Sequence, residues 1–319
     1  MVKYIFQRLG MGFLTFLVII CVVFFVVYSM PGSPFHPERS DVSPRYLELI
    51  TARYHLDRSL PERFMFFMAD YIRFDFGYSL VLNHGFPVGM MIRERVLITI
   101  QLNLFTAFFV IPMGLIFGIS MAIKKDKFYD HAASTVVMFF IAAPAFVMAS
   151  LMQYFLAYRL GWFPILLSPE VNLTWTKFYS MILPILALSF GPIASISRLL
   201  RAEMAEILTG DFMLLAKAKG LSFRQCILRH ALRNAMVPIT ISFVWLFLGI
   251  VGISVVIERI FGIPGLSIVM IRAISANDFP VIVATIYFYA IIGLSGAIVA
   301  DMSVGVVDPR IRMGGRKGE

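Results

Sequence analysis

Six long apolar stretches run through this chain of 319 residues, and they restrict its fold more than any other feature. A helix needs about 20 mainly apolar residues to cross the roughly 30 Å hydrocarbon core of a bilayer. Charged residues make up only 15% of the chain, against about a quarter of a typical soluble domain. The sequence therefore predicts an all-α integral membrane protein. Its six transmembrane helices are expected at Leu9–Met30, Leu97–Ile123, Ser134–Tyr158, Phe178–Ser197, Val237–Ile257 and Val281–Val304.

The first apolar stretch resembles a secretory signal at its start, because Lys3 and Arg8 precede it. It is too long for a signal, however, and no small-x-small cleavage site follows it before Pro31 and Gly32. We therefore expect a retained membrane anchor.

The distribution of basic residues predicts the orientation. An even number of spans places both termini on one side, and more than half of the 28 Lys and Arg residues lie at the termini or in the loops after the second and fourth spans. Basic loops remain cytoplasmic, so both termini are expected in the cytoplasm. This basic charge favours contact with lipid headgroups. It does not indicate a nucleic-acid partner, which binds a basic patch on a folded soluble surface.

Chemically reactive residues are scarce inside the predicted spans. None of the five histidines lies there, and Glu258, Arg259 and Asp301 lie only near span ends. Ion-coupled carriers need such groups within the membrane, although backbone carbonyls alone sometimes suffice. Cys21 and Cys226 fall in different compartments and predict neither a disulfide nor a metal site. The chain is thus expected to have no catalytic residue and no metal.

The order of apolar and polar segments divides the chain into four parts. These are residues 1–30 (the N-terminal end and first span), 31–96 (an external helical loop region), 97–312 (a core of five transmembrane helices) and 313–319 (a cytoplasmic tail). In the external region, apolar residues recur at helical spacing after Pro44 and Pro61, which predicts two short helices. The Asp75–Ser79 turn that follows either packs this region or contacts a substrate or a partner protein outside the membrane.

The loop at residues 198–237, between the fourth and fifth spans, carries the most informative local pattern. It contains the run Ala-Lys-Ala-Lys-Gly-Leu-Ser over Ala216–Ser222. A short helix stopped by glycine and followed by a basic, partly apolar helix is typical of a docking element for a protein partner. Gly220 suits the stop because glycine adopts a left-handed helix cap at little cost.

Three segments resemble one family of membrane transport proteins. Arg198–Thr240 resembles the coupling loop of ATP-binding-cassette importer permeases, and more narrowly that of the dipeptide, oligopeptide and nickel branch. The run Glu258–Leu266 is similar to the family's acidic-x-x-phenylalanine-x-x-proline-glycine-leucine signature, and Asp308–Arg312 to its terminal aspartate-proline-arginine. Leu214 and Leu215 occupy positions where other importer classes have glutamate and alanine. This departure is typical of the dipeptide, oligopeptide and nickel branch.

The resemblance implies one of two nonidentical permease subunits in the cytoplasmic membrane of a prokaryote. The implied partners are a sister permease, two ATPase subunits and an external substrate-binding protein. In such importers the helix before the glycine sits in a cleft of the ATPase and transmits its closure to the membrane helices. The implied coupling residues are Asp211, Ala216, Lys217, Ala218, Lys219, Gly220, Leu221 and Ser222.

Nucleotide chemistry is expected in the partners. The chain has no Gly-x-x-x-x-Gly-Lys-Ser/Thr phosphate-binding loop, the motif whose backbone holds ATP phosphates in many ATPases. We therefore expect no enzymatic activity and no cofactor in this chain, with ATP bound by the ATPase subunits.

Small residues and prolines mark positions that either pack helices or line a path through the membrane. In lipid, small residues let helices approach, and proline loosens a helix. The candidate pore or hinge positions are Pro144, Gly249, Gly252, Pro264 and Gly265. The last two belong to a Gly-x-Pro-Gly run that predicts a tight turn beside the pore mouth.

Several functions stay open at this point. Within the family resemblance the substrate is a di- or oligopeptide, or alternatively a nickel chelate or glutathione. Outside it, the alternatives are a secondary carrier or channel acting alone and a membrane scaffold without transport activity. ATP-dependent substrate flux separates the first group from the second.

Overall fold

The computed structural model describes residues 2–29, 44–170, 172–249 and 255–307. These residues form helices and one isolated β-bridge, between Tyr78 and Pro87, with no β-strand among them. The α-helices in chain order are α1 (Val2–Ser29), α2 (Pro44–Tyr54), α3 (Leu60–Ile72), α4 (Val88–Ile123), α5 (Phe128–Ala142), α6 (Ala145–Met152), α7 (Trp175–Thr209), α8 (Asp211–Ala218), α9 (Phe223–Gln225), α10 (Leu232–Leu248), α11 (Val255–Ile260), α12 (Leu266–Ala276) and α13 (Phe279–Val307). Two π-helical stretches, Gln153–Arg159 and Cys226–Ala231, continue α6 and join α9 to α10.

The described residues contain four helices that are long and apolar enough to cross a membrane, or five if one bent pair counts as a single span. The four are Phe6–Tyr28, Val88–Ile123, Trp175–Thr209 and Phe279–Val299. The predicted fifth span, Val237–Ile257, includes residues 250–254, which lie outside the described part of the chain. The all-helical membrane fold is confirmed, and the count of six spans stays a prediction.

The predicted third span, Ser134–Tyr158, is broken in the middle, and whether its two parts form a single span stays a prediction. Helix α5 ends at Ala142, Pro144 precedes α6, and the two helical segments meet at an angle of 100°. Proline has no N–H to donate and drives the residue before it to extended geometry, and Ala143 accordingly has ψ 124°. By contrast, Pro112 and Pro184 lie inside unbroken helices.

Other helices are longer than their predicted spans. Helix α4 begins at Val88 instead of Leu97, and α7 continues past Ser197 to Thr209. The predicted loop from Arg198 onward therefore begins with three helical turns that belong to α7. Buried Leu200 and Met204 keep the apolar period of α7 over these turns, so the helix persists where its exposed face becomes polar.

The chain separates into two compact units. The first unit comprises residues 2–99 and 264–295, and the second comprises the described residues of 100–263 and 296–319. The four-part division made from the sequence stays a prediction.

Within the first unit, an aromatic cluster packs α1, α3 and α13 together. The ring centroid of Phe24 lies 5.2 Å from Phe64 and 5.0 Å from Phe67, and that of Tyr71 lies 5.2 Å from Tyr287. Helices α2 and α3 begin at or next to the prolines expected to start them. Ser59 donates from its N–H and hydroxyl to Glu62 at 3.0 and 2.8 Å, which caps α3.

Within the second unit, α4 and α7 approach closely at two glycines of α4. A Cβ added to Gly114 meets Ile196 Cγ2 at 2.8 Å, and one added to Gly118 meets Leu200 Cβ at 2.8 Å. The Ser197 hydroxyl donates to the Gly114 carbonyl at 3.2 Å. Small residues of this kind let membrane helices pack backbone to backbone.

Candidate functional site

The segment Asp211–Ser222, here called the coupling element, folds as a short helix that ends at a left-handed glycine. Helix α8 begins at Asp211, whose acidic side chain suits a helix N-terminus. Gly220 has φ +81°, and Leu221 N–H donates back to the Ala216 carbonyl at 3.3 Å. Ser222 then begins α9 with a reciprocal cap, its N–H donating to Gln225 Oε1 at 2.9 Å. The left-handed conformation expected of Gly220 is thus present.

The two faces of α8 differ sharply in burial. Met213 and Ala216 are buried, whereas Leu214 and Leu215 are 62% and 56% exposed. Ala218, Lys219 and Gly220 are also exposed, and the side chain of Lys217 lies outside the described part of the chain. One face of the helix is therefore used inside the protein, while the other leaves two leucines uncovered.

The buried face of α8 belongs to a core cluster that joins several helices. Met213 and Ala216 share this cluster with Leu200 and Met204 of α7. The π-helical stretch before α10 contributes Cys226, Ile227 and Ala231. Helix α8 is thus packed against α7 and against the π-helical stretch that leads into α10.

A buried ion pair ties α5 to α7 in the same unit. Arg201 donates from Nε to Asp130 Oδ1 and from its terminal nitrogen to Oδ2, each at 2.5 Å, and Asp130 has no exposed surface. Asp126 N–H donates to the same carboxylate at 3.0 Å. This pair was not predicted from the sequence, in which Arg201 is one of the basic residues that follow the fourth span. The sequence feature that could have indicated it is Asp130, an acidic residue in the first turn of the apolar helix α5.

A cavity lies between α4, α7 and α10, also in the second unit, and is here called the polar cavity for the polar groups in its otherwise apolar wall. Its volume is about 430 Å³, and none of its lining residues is charged. The lining includes Asn103, Thr106, Ser195, Ser242, Trp245 and Gly249. Asn103 and Thr106 on α4, like Ser242 and Trp245 on α10, stand three residues apart, which places each pair on one helix face. Of the predicted pore or hinge residues, the structure places Gly249 here.

The other pore or hinge candidates lie elsewhere. Pro144 marks the break between α5 and α6, and Gly252 lies outside the described residues. Pro264 and Gly265 belong to the first unit, where Arg95 donates to the Pro264 carbonyl at 3.3 Å. Gly265 precedes α12 with φ −87°. The left-handed glycine of this run is Gly262, with φ +63°, which the sequence analysis did not single out.

The Asp75–Ser79 turn in the first unit uses its polar groups internally. Gly77 has φ +71° and donates from its N–H to Asp75 Oδ1 at 3.0 Å. Asp75 also accepts from Arg53 at 2.7 Å. Partial burial disfavours the charged form of Arg53, but Asp75 and Asp70 outweigh it and raise the pKa of its guanidinium.

Asp278 holds the end of this turn. Its buried carboxylate accepts from the Ser79 hydroxyl at 2.5 Å and from the N–H groups of Leu80, Val81 and Leu82 at 3.1, 3.1 and 2.9 Å. The first of the two readings of the turn, that it packs its own region, accounts for these contacts. Contact with an external ligand stays a prediction.

Across the described ranges, no three His, Cys, Asp or Glu side chains are grouped so that they could hold a metal ion.

Comparison with known proteins gives consistent matches over the chain. A family model described as "Binding-protein-dependent transport system inner membrane component" matches residues 114–313. The chain is 35% identical over 313 residues to the dipeptide transport system permease protein DppB of Lactococcus lactis subsp. cremoris (strain MG1363), covering 98% of this chain and 100% of that protein. It is 33% identical over 312 residues to the oligopeptide transport system permease protein OppB of Escherichia coli (strain K12), with 98% and 100% covered.

One structural match supports the fold. A solved structure of the MetNI methionine ABC transporter in an inward-facing conformation has a TM-score of 0.55 and 18% identity, and the match covers 69% of this chain and 97% of that one. At this identity the likeness concerns the fold alone.

Proposed function

We propose, from the premise that this chain belongs to the family of binding-protein-dependent transport system inner membrane components, that it is the peptide-conducting permease subunit of an ATP-driven importer. Relatives at 33–35% identity along their whole length are named dipeptide and oligopeptide permeases. The chain forms half of the translocation path, and a related second permease forms the other half.

The main support for this proposal is that the coupling element has one buried face and one exposed face. In the proposed mechanism the exposed Leu214 and Leu215 and the open Gly220 contact an ATPase subunit. The buried Met213 and Ala216 pass its movement to α7. Helix α7 is continuous from Thr209 to Trp175, so it carries both Met204, beside α8, and Ser195, in the wall of the polar cavity.

The polar cavity suits a peptide backbone. Hydroxyl and amide side chains both donate and accept hydrogen bonds, so they match the N–H and C=O groups that all peptides share. Charged lining residues would select among substrate side chains, and this lining has none. We therefore assign substrate contact to the Ser195 and Ser242 hydroxyls on this chain, with the Trp245 indole N–H as a further donor.

The remaining partners follow from the same proposal. Two ATPase subunits bind the ATP, so this chain needs no cofactor, and an external binding protein delivers the peptide. Both termini and the coupling element face the cytoplasm, as the excess of basic residues on that side favours. Uptake by the reconstituted complex is expected to require ATP and to persist when ion gradients are collapsed. Flux that follows an ion gradient without ATP identifies a secondary carrier instead.

The test compares Gly220→Val with Gly85→Val in the full transporter. Both glycines have positive φ, +81° and +77°, and a Cβ added to either meets no atom within 4 Å. The backbone strain of about 1–2 kcal/mol is therefore similar. Gly220→Val is expected to reduce ATPase co-purification or to uncouple ATP hydrolysis from peptide uptake, while Gly85→Val assembles normally. Normal assembly and uptake with Gly220→Val contradicts the proposed coupling role.

A further inference from the structure

An apolar groove lies between α4, α5 and α7 of the second unit, separate from the polar cavity. Its volume is about 480 Å³, and its wall is formed almost entirely by aliphatic and aromatic side chains such as Phe117, Met121, Val136 and Phe140. The hydroxyl of Ser197, which also lines it, is already donated to a backbone carbonyl. The wall therefore offers a ligand little hydrogen bonding.

Such a groove offers water few hydrogen-bond partners. A volume of this size equals about 16 water molecules at liquid density, and each buried water needs two or more polar partners. The aromatic and aliphatic wall is instead matched to hydrocarbon.

The groove runs along α5. Its lining residues on α5 run from Tyr129 to Phe140, a distance of roughly 16 Å at 1.5 Å per residue. Phe140 stacks on Phe190 of α7 with ring centroids 4.5 Å apart and planes 7° from parallel. This stacked pair joins α5 to α7 in the wall of the groove, and the length of the wall along α5 suits a single extended alkyl chain.

Basic side chains lie beside Tyr129, at the N-terminal end of the part of α5 that lines the groove. Lys124 Nζ lies 4.2 Å from the centroid of the Tyr129 ring, and the Tyr129 hydroxyl shares a hydrogen bond of 2.9 Å with Ser120. Lys125 and Lys127 are exposed in the same turn. We call Lys124, Lys125 and Lys127 the lysine turn.

The acids near the lysine turn do not cancel its charge. Asp126 is exposed and offsets one lysine. Asp130 is buried, and Arg201 neutralises it. The turn therefore keeps a positive charge at the junction of two apolar helices, where basic clusters attract the headgroups of acidic lipids.

From this arrangement we infer that the second unit binds an acidic phospholipid. One acyl chain occupies the groove down to the Phe140–Phe190 pair, and the phosphate binds the lysine turn. The lipid fills the space between α5 and the α4–α7 pair. This inference concerns a structural ligand and is independent of the transported cargo.

The first test measures lipid selectivity of the purified transporter in nanodiscs. Spin-labelled phosphatidylglycerol and spin-labelled phosphatidylcholine are compared by the fraction of immobilised label. Phosphatidylglycerol is expected to be preferred, and Lys124→Gln with Lys125→Gln and Lys127→Gln is expected to lower that preference by about fivefold for each lysine that binds the phosphate.

The matched control removes three exposed arginines of the first unit, by Arg45→Gln with Arg58→Gln and Arg73→Gln. It is expected to leave the preference unchanged. An undiminished phosphatidylglycerol preference in the lysine variant, or equal immobilisation of both lipids by the unaltered protein, overturns the inference.

The second test identifies the occupant of the groove directly. A diazirine analogue of leucine is placed at Val136, which lines the groove and is 53% exposed, and the assembled transporter is irradiated in membranes. Mass spectrometry is expected to find a phospholipid adduct on α5. An adduct to the sister permease, with no lipid adduct, shows that a protein segment fills the groove and overturns the inference.

Discussion

The coupling element and the Asp75–Ser79 turn are both built around a glycine with positive φ. The side chains of the turn bond inside the protein, whereas the coupling element leaves side chains exposed. At Gly77 an added Cβ meets the Tyr54 hydroxyl at 2.7 Å, whereas at Gly220 it meets nothing within 4 Å. The Asp75–Ser79 turn bonds its polar groups to Arg53 and Asp278. The coupling element leaves Leu214 and Leu215 uncovered. A glycine with positive φ thus belongs to an internally bonded turn at Gly77 and to an exposed surface at Gly220.

The largest expected effect is on the anchored turn. Asp278→Ala removes the acceptor of four hydrogen bonds. A buried donor left without a partner costs about 1–3 kcal/mol, so we expect the free energy of unfolding to fall by at least about 3 kcal/mol. Thermal unfolding of the purified permease measures this loss.

The control for this change lies in ATPase binding. Permease molecules that still fold with Asp278→Ala are expected to bind the ATPase normally, because the coupling element is untouched. An unchanged thermal midpoint shows that the turn is not anchored as described.

A smaller effect on thermal stability is expected to distinguish Gly77 from Gly220. Alanine at either position strains a left-handed backbone by about 1–2 kcal/mol, and at Gly77 the close Tyr54 hydroxyl adds to that cost. Gly77→Ala is therefore expected to lower the thermal midpoint more than Gly220→Ala, while only Gly220→Ala weakens ATPase co-purification. If Gly77→Ala and Gly220→Ala change the thermal midpoint and ATPase co-purification equally, the turn and the coupling element do not differ in the way described.

Local features were predictable from the sequence because neighbouring residues determine them. The starts of α2 and α3 at prolines and the left-handed Gly220 are of this kind, as was the family resemblance, which the comparisons confirm. Pro144 was less tractable. Proline sterics indicate a disturbed helix, but whether the helix bends or ends depends on where the following segment packs, and α6 packs against α7.

The features missed by the sequence analysis join distant parts of the chain. Ser79 and Asp278 are 199 positions apart, and Asp130 and Arg201 are 71 apart. The polar cavity needs the faces of three helices to be aligned, because each contributes only one or two polar residues. Periodicity within one helix fixes which residues share a face, but not which other helix that face meets.

The most direct test of the coupling element is photocrosslinking from its exposed face in the assembled transporter. A diazirine analogue of leucine is placed at Leu215, which is 56% exposed, or at Leu49 of α2, which is 64% exposed. We predict an adduct to the ATPase subunit from position 215 and none from position 49. No ATPase adduct from position 215, or equal adducts from both positions, contradicts the assignment of this element as the ATPase contact.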